Sequence, residues 1–148
     1  MYKHILISTD GSRLSDKAVN AAIALAQELG ARLTVFHAME EYPIMPYPDY
    51  AMVIDSFTPQ DWKTNQEKRA DRILNKAQAA AEKAGIACTK KSSSALHPYE
   101  AILQTAKKAH CDLIVMASHG RRGVKGLVLG SETHKVLTHG KIPVLVVR

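Results

Sequence analysis

The chain has 148 residues, of which 46% are hydrophobic and 23% charged, a composition typical of one globular domain that buries its own core. No window approaches the ~20 consecutive apolar residues of a membrane span, and the N-terminus runs into a strand pattern rather than a signal peptide. The net charge of +6 attracts anions in general. Scattered basic residues and only 5% aromatics argue against nucleic acid as the main ligand.

The first predicted strand covers residues 5–7, an apolar run short enough for a buried strand. Asp10 and Gly11 follow it and indicate a tight turn into a helix. Either Ser12 or Ser15 is suited to cap that helix, because a hydroxyl oxygen accepts from the first-turn amides.

A helix over 15–29 and a strand over 32–38 complete the first unit. Strand, helix and strand of these lengths predict a right-handed parallel crossover. The inner face of the helix is rich in alanine, which allows close packing on a sheet; it comprises Ala18, Ala22, Leu25, Ala26 and Leu29.

The segment over 40–61 changes character, since prolines and aromatic residues replace the periodic pattern. Loops of this length within one domain are often functional or mobile. Two interpretations stay open: a surface excursion that packs its aromatics over the sheet edge, or a lid or partner surface beside a ligand.

Thr58, Pro59 and Asp61 form a helix-start pattern, with a cap, a proline in the first turn and an acid three residues after the cap. The helix should run to about residue 84 on a stripe of Ala70, Ile73, Leu74, Ala77, Ala81 and Ala84. A weak, peripheral strand is predicted over 86–92. Pro98 then opens a third helix, with Ala101, Ile102, Thr105 and Ala106 as its buried residues.

A fourth strand over 113–116, a helix from about 131 to 140 and a last strand over 142–147 complete the pattern. Strands alternating with helices predict a single-domain α/β fold, a five-stranded doubly wound parallel sheet. With the strand order 3-2-1-4-5, a ligand crevice lies between strands one and four, where the winding reverses.

The stretch over 112–133 joins the fourth strand to the last helix through a loop containing glycines, Arg121, Arg122 and Lys125. It closes on Gly130 and Ser131, which we interpret as a helix cap. Backbone amides, a helix N-terminus and basic side chains together predict an anion cradle. The spacing fits neither a Walker A loop nor a Gly-x-Gly-x-x-Gly fingerprint.

This stretch resembles the nucleotide-binding pattern of the universal stress protein family: Gly, two residues, Gly, nine residues, then Gly-Ser or Gly-Thr. Gly120 and Gly130-Ser131 match it, whereas Ala117 replaces the first glycine. The resemblance extends over 5–147. It implies a Rossmann-like fold of the adenine nucleotide alpha hydrolase type and a stress-response regulatory protein. The implied ligand is ATP, or alternatively ADP or AMP, alone or with Mg²⁺.

The resemblance also implies roles for individual residues. Asp10 would contact the ribose or adenine side, and the main chain of Ala38 the adenine edge. Met116 and Ala117 would line the base and ribose. The phosphates would be faced by Gly120, Arg121, Gly130, Ser131 and Thr133. The complete expected nucleotide-binding set is Thr9, Asp10, Ala38, Met116, Ala117, Gly120, Arg121, Gly130, Ser131 and Thr133.

Glu132 does not fit this scheme simply, because its carboxylate would repel a phosphate bound beside it. Its negative charge is nevertheless favourable in the first turn of a helix. We expect its side chain to point to solvent; pointing inward, it would offer a ligand for a divalent cation. His119 either donates to a phosphate or caps the strand end. No two histidines have the spacing of a zinc-binding helix.

No catalytic residue is indicated, since the sequence offers no evident base or Walker-type acid for phosphoryl transfer. The first hypothesis is therefore a regulatory nucleotide-binding protein with weak ATP hydrolysis at most. A true ATPase or nucleotidyl-transfer enzyme using the same pocket is an alternative. A further alternative is a nucleotide-free dimeric interaction module.

The last strand, over 142–147, is hydrophobic and is expected at the edge of the sheet, where its backbone groups are open to pairing. Pro143 near its start suits an edge position, and the family resemblance implies a homodimer through this strand. A monomer whose edge is covered by its own loops is the alternative. Cys88 and Cys111 show neither metal nor disulfide spacing, so we expect reduced thiols in a cytoplasmic protein.

Overall fold

A computed structural model describes residues 1–43, 58–120 and 129–148. Strands and helices alternate along this part of the chain. In order they are β1 (His4–Ser8), α1 (Arg13–Leu29), β2 (Arg32–Glu40), α2 (Pro59–Lys83), β3 (Cys88–Ala95), α3 (Pro98–Lys108), β4 (Leu113–Ala117), α4 (Ser131–His139) and β5 (Val144–Val147).

The described strands form a five-stranded parallel sheet in the order β3-β2-β1-β4-β5, which confirms the predicted topology. Ser8, the last residue of β1, lies opposite Phe36 of β2 and Met116 of β4. The chain therefore leaves the sheet after β1 while β2 continues to Glu40. A crevice above the end of β1 follows from this difference in strand length.

The two faces of the sheet bury separate cores, because side chains alternate along each strand. In β1, Ile5 and Ile7 pack on the face covered by α1 and α2, whereas Leu6 packs on the face covered by α3 and α4. Phe36 and Met116 share the second core with Leu6. Helices on both faces explain why all five residues of β4 are buried.

Two of the helix starts that the sequence indicated, those of α1 and α2, use a side-chain cap. The Asp61 amide donates to Thr58 Oγ1 at 3.1 Å and the Thr58 amide to Asp61 Oδ2 at 3.2 Å, so the capping box of α2 is confirmed. In α1 the cap is Ser12, whose Oγ accepts from the amide of Ser15. Ser15 lies instead within the first turn of α1, where it is buried.

Several predicted boundaries were wrong by two or three residues. β3 begins at Cys88 rather than at residue 86, because the Ile86 amide still donates to the Ala81 carbonyl and completes the end of α2. β3 also runs to Ala95, and β2 runs to Glu40 rather than residue 38. β5 begins at Val144 because Pro143, just before it, has no amide proton to donate.

Side-chain burial also differs from the expectation at some helix positions. Thr105 of α3 and Ile73 of α2 are half-buried rather than buried. In α1, Leu25 and Leu29 are half-buried, while Val19 and Ile23 are buried instead. The inner stripe of α1 is therefore rotated toward residues 19 and 23.

The segment over 40–61 is described only at its two ends, and its middle lies outside the described residues. At these ends the Trp62 indole N–H donates to the Glu40 carbonyl at 3.1 Å, and the Tyr42 and Trp62 rings meet edge to face. The choice between surface excursion and lid therefore stays open. Within the described ranges, no helix is both long and apolar enough to cross a membrane.

A buried histidine lies at the opposite end of the sheet from the crevice. His4 Nε2 is 2.8 Å from Thr34 Oγ1, and its Nδ1 has no hydrogen-bond partner in the described part. Burial lowers the pKa of His4, and the Arg32 guanidinium lowers it further, against the opposing effects of the Ala109 carbonyl and Asp112. The side chain is therefore held neutral as the pH falls below the ordinary histidine range.

Candidate anion-binding site

The turn after β1 is fixed by hydrogen bonds that involve nearly every polar group of Thr9. Its amide donates to the Phe36 carbonyl at 2.9 Å, and its carbonyl accepts from His37 Nδ1 at 2.8 Å. Its hydroxyl lies 3.0 Å from Ser15 Oγ and accepts from the Gly11 amide at 3.2 Å. Thr9 is therefore a buried residue whose hydrogen bonds fix the turn after β1, and its side chain points toward the start of α1.

Asp10 follows directly, and its carboxylate reaches the end of β4. One oxygen, Oδ1, accepts from the Ser12 amide at 2.9 Å, which holds the side chain over the turn. The other faces Gly120, because a Cβ atom added to Gly120 would lie 3.0 Å from Asp10 Oδ2. Gly11 takes φ +77°, a left-handed conformation that favours glycine.

The end of β4 is joined closely to the start of α4. The Gly130 amide donates to the Ser118 carbonyl at 2.6 Å, and Thr133 Oγ1 donates to the Ala117 carbonyl at 2.9 Å. A Cβ atom on Gly130 would lie 3.0 Å from the Ser118 carbonyl oxygen and 3.3 Å from His119 Cα. Glycine at 130 therefore permits a backbone approach that a larger residue would prevent.

The first turn of α4 offers amide donors at this point. Its first intrahelical bond runs from the His134 amide to the Gly130 carbonyl, so the amides of 131–133 have no acceptor within the helix. Gly130 is the N-cap and has no side chain to satisfy them. Ser131 is exposed and adds a hydroxyl. These groups fit an anion such as a phosphate, which binds well at helix N-termini.

Ala38 and Met116 lie near the carboxyl ends of β2 and β4. The register of β1 with β2 ends at Phe36, whereas Ala38 pairs with Ser93 of β3. Among the described residues, no β1 residue pairs with this end of β2, so its β1-facing edge borders the crevice. Met116 is buried in the core beneath α3 and α4, and its neighbour Ala117 is buried on the other face.

The side chains of Ser118 and His119, which are neighbours in the chain, are in contact. Ser118 Oγ lies 3.0 Å from His119 Nδ1, and Ser118 is 2% exposed. The buried hydroxyl therefore orients the imidazole at the mouth of the crevice. Nothing in the sequence indicated this contact, because it depends on how the chain bends after β4.

Glu132 does not point freely to solvent, so this expectation was wrong. Its Oε2 accepts from the Tyr99 amide in the first turn of α3 at 2.9 Å, and its Oε1 lies 3.1 Å from Lys135 Nζ. The carboxylate is drawn to α3 because that helix has no side-chain cap of its own. Both carboxylate oxygens therefore have partners within the protein, and neither takes the inward position in which it would bind a cation.

A second feature, a groove, includes Asp10 in its lining. A groove of about 360 Å³ between α1 and α2 carries basic side chains along its α2 wall. Lys76 Nζ pairs with Asp16 Oδ2 at 2.6 Å across it. No sequence pattern indicated this groove, whose lining comprises Asp10, Gly11, Asp16, Arg69, Arg72, Ile73 and Lys76.

The structure thus brings most of the predicted site residues to one place. Asp10, Gly120 and Gly130 converge at the carboxyl ends of β1 and β4, with Ser131 beside them. Thr9 and Thr133 lie next to these residues but use their hydroxyls within the protein. Ala38, Met116 and Ala117 lie near the carboxyl ends of β2 and β4, and the predicted Arg121 lies outside the described residues.

Fold and site define a doubly wound α/β protein with a candidate anion-binding crevice at its topological switch point. A family model for the universal stress protein family matches residues 1–148. The chain is 38% identical over 148 residues to the universal stress protein in the QAH/OAS sulfhydrylase 3' region of Thermus aquaticus, with both chains fully covered. The chain belongs to the universal stress protein family, which confirms the resemblance.

Solved structures support the same fold. The hypothetical protein MJ0577 superposes with a TM-score of 0.82 at 26% identity, covering 99% of this chain and 96% of that one. A universal stress protein solved in complex with cAMP superposes with a TM-score of 0.72, also at 26% identity, covering 99% and 97%. The Rossmann-like fold predicted from the sequence is confirmed.

Proposed function

We propose that this chain is a regulatory protein of the stress response that binds an adenine nucleotide, with ATP as its main ligand. The observation that carries the proposal is the convergence of the Asp10 carboxylate, Gly120 and the first turn of α4 at one end of the sheet. The relative solved with cAMP supports the ligand class, because that ligand combines adenine, ribose and phosphate.

The residues divide between the two ends of such a ligand. The Gly130–Ser131 end of α4, with Gly120, would hold phosphates, because amides and a helix N-terminus favour negative charge. Arg121 would add a full positive charge there, and the chain's net charge of +6 favours a ligand with several phosphates. Asp10 would accept from ribose hydroxyls, and the main chain of Ala38 would contact the adenine edge.

Hydrolysis should be slow. Phosphoryl transfer needs a positioned metal ion and a group that orients the attacking water. The Asp10 carboxylate at the crevice already accepts from the Ser12 amide, and Glu132 is engaged with α3. The described residues contain no cluster of three or more His, Cys, Asp or Glu side chains suited to a metal ion. Mg²⁺ would therefore be held chiefly by the phosphates that it accompanies.

Calorimetric titration of nucleotide-stripped protein tests this function. Adenosine, AMP, ADP and ATP, each with and without Mg²⁺, should bind saturably, and the affinity should increase with the number of phosphates. Steady-state phosphate release should stay far below the ~10 s⁻¹ of a typical enzyme. Absence of saturable binding at millimolar ATP would refute the proposal, and rapid Mg²⁺-dependent turnover would favour the ATPase alternative.

We also propose a homodimer that pairs through β5. β5 is an edge strand, and Leu145 on it is 41% exposed, which leaves both backbone groups and apolar surface available. Light scattering during gel filtration should give twice the chain mass. Leu145→Lys should shift the protein to monomer, whereas Leu96→Lys, at an exposed leucine outside β5, should not. A wild-type monomer at micromolar concentration would contradict the proposal.

A cytoplasmic location is part of the same proposal. Burial raises the pKa of the Cys111 thiol to about 11, and burial likewise raises the pKa of Cys88. Both side chains are therefore thiols rather than thiolates at neutral pH, and both are unpaired. Cell fractionation should find the protein with cytoplasmic markers; recovery in an extracellular fraction would contradict this location.

A further inference from the structure

The first turns of α3 and α4 are linked by one carboxylate. The N-cap of α3, His97, makes no side-chain cap hydrogen bond. Glu132, the second residue of α4, supplies the missing acceptor, since its Oε2 accepts from the Tyr99 amide at 2.9 Å. A residue distant in sequence therefore caps α3 from the neighbouring helix.

The charge of Glu132 is compensated where it lies. Its Oε1 is 3.1 Å from Lys135 Nζ, one turn further along α4. The same ammonium lies 5.6 Å from the centroid of the Tyr99 ring, so the lysine is attracted to two groups at this junction. The N-terminus of α3 adds partial positive charge. The carboxylate is thus held by α3 and Lys135 together.

The position of this carboxylate matters because Glu132 directly follows Ser131. A charged oxygen that turned toward the first-turn amides of α4 would compete with an anion for them and repel it. The hydrogen bond from the Tyr99 amide instead directs the Glu132 carboxylate toward α3. The same bond connects the first turn of α4 to α3. Thr133 anchors the same turn to the Ala117 carbonyl at 2.9 Å.

We propose that Glu132 is a positioning residue for the phosphate end of the nucleotide site. Its hydrogen bond to the Tyr99 amide fixes the first turn of α4, so that the amides near Ser131 are preorganised, and keeps its own charge away from the ligand. This inference rests on the proposed nucleotide binding. Beyond that function, it assigns Glu132 an effect on the affinity for the phosphates of the ligand and not for its nucleoside.

Three variants separate the hydrogen bond from the charge. Glu132→Gln keeps an oxygen that accepts from the Tyr99 amide but removes the charge, whereas Glu132→Ala removes both. Glu100→Gln is the matched control, because it makes the same charge change in the first turn of α3, where Glu100 accepts from the Tyr99 hydroxyl and not from α4. Each variant is titrated with ATP and with adenosine well below its unfolding temperature.

Glu132→Ala should weaken ATP binding about fivefold, the value of one net hydrogen bond, and leave adenosine binding within about twofold of wild type. Glu132→Gln and Glu100→Gln should bind both ligands nearly as wild type does. Unchanged or tighter ATP binding by Glu132→Ala would overturn the proposal. Equal losses for Glu132→Gln and Glu132→Ala would also overturn it, as would a parallel loss of adenosine binding.

A second readout needs no nucleotide. NMR order parameters of the Ser131 and Thr133 amides in the ligand-free protein should fall in Glu132→Ala and stay at wild-type values in Glu132→Gln and Glu100→Gln. Unchanged order parameters in Glu132→Ala would overturn the positioning role whether or not adenylates bind. If the order parameters fall as expected but wild-type protein binds no adenylate, the proposed function fails and the positioning of α4 by Glu132 stands.

Discussion

Gly130→Ala perturbs the junction on which the nucleotide site depends. The new methyl group would lie 3.0 Å from the Ser118 carbonyl oxygen and 3.3 Å from His119 Cα, closer than ordinary van der Waals contact. Both neighbours are backbone atoms, and Gly130 is already bonded to one of them at 2.6 Å. The first turn of α4 must therefore move away from the end of β4.

The magnitude of this effect follows from two opposing contributions. Overpacking of this kind costs about 1–3 kcal/mol. Gly130 has φ −68°, which alanine adopts without strain. Alanine also reduces the conformational freedom of the unfolded chain, which stabilises the folded protein by about 0.4–1 kcal/mol. The free energy of unfolding should fall by about 1–2 kcal/mol. Displacing one charge-assisted amide bond to a phosphate should weaken ATP binding about tenfold or more.

Urea denaturation and calorimetric ATP titration measure the two effects separately. Gly140→Ala is the control, because its methyl group would lie 2.6 Å from the Val136 carbonyl oxygen and 2.9 Å from Leu103 Cδ2 at the other end of α4. It should lose stability and retain ATP affinity. Wild-type ATP affinity in Gly130→Ala, or equal ATP losses in both variants, would mean that the first turn of α4 does not hold the phosphates.

Substitutions at Gly11 in the turn after β1, at Thr133 in the first turn of α4 and at the buried His4 should each change stability. Gly11→Ala should lower the free energy of unfolding by at least about 1–2 kcal/mol, because φ is +77° and the new methyl group would lie 2.9 Å from Ile73 Cγ1. Gly11→Asn meets the same contact but should cost less in urea denaturation, because asparagine tolerates this conformation. Thr133→Val should cost about 1–3 kcal/mol, because the buried Ala117 carbonyl loses its 2.9 Å donor, and Thr133→Ser should retain most of the stability. Stability followed by urea denaturation should fall as the pH decreases below about 6.5, and His4→Gln should remove part of that decrease.

The pH dependence of stability at His4 follows from the state, folded or unfolded, that binds the proton. The pKa of His4 is lowered in the folded protein, so between that value and the ordinary 6.5 the unfolded chain binds a proton that the folded chain does not. Stability is therefore highest above pH 6.5, decreases through this window and levels off below the folded pKa. An identical pH profile in His4→Gln would contradict the role of His4. Equal losses for Gly11→Asn and Gly11→Ala, or for Thr133→Ser and Thr133→Val, would contradict the other two predictions.

The fold was predictable because its signals are local. Apolar runs such as residues 5–7 define buried strands, and Thr58 with Asp61 defines a helix start within four residues. Strand boundaries were less accurate, since the Ile86 amide completes a helix end that composition alone does not reveal. Local pattern therefore determines which elements form, and hydrogen bonding at the ends determines where they stop.

The site was predictable only where backbone spacing defines it. Glycines at 120 and 130 mark close approaches that the structure contains, at the Asp10 carboxylate and at the Ser118 carbonyl. The roles of Glu132 and Ser118 were not predictable, because each depends on a neighbour placed by tertiary packing. The nucleotide contacts assigned to the predicted set, Arg121 among them, remain predictions.

An NMR titration of ¹⁵N-labelled, nucleotide-stripped protein with ATP and Mg²⁺ shows whether the nucleotide binds where β1, β4 and α4 meet. We expect saturable shifts that are largest at the amides of Gly120, Gly130 and Ser131, with smaller ones at Asp10. A spectrum unchanged at millimolar ATP, or shifts confined to the α1–α2 groove around Arg72 and Lys76, would contradict it.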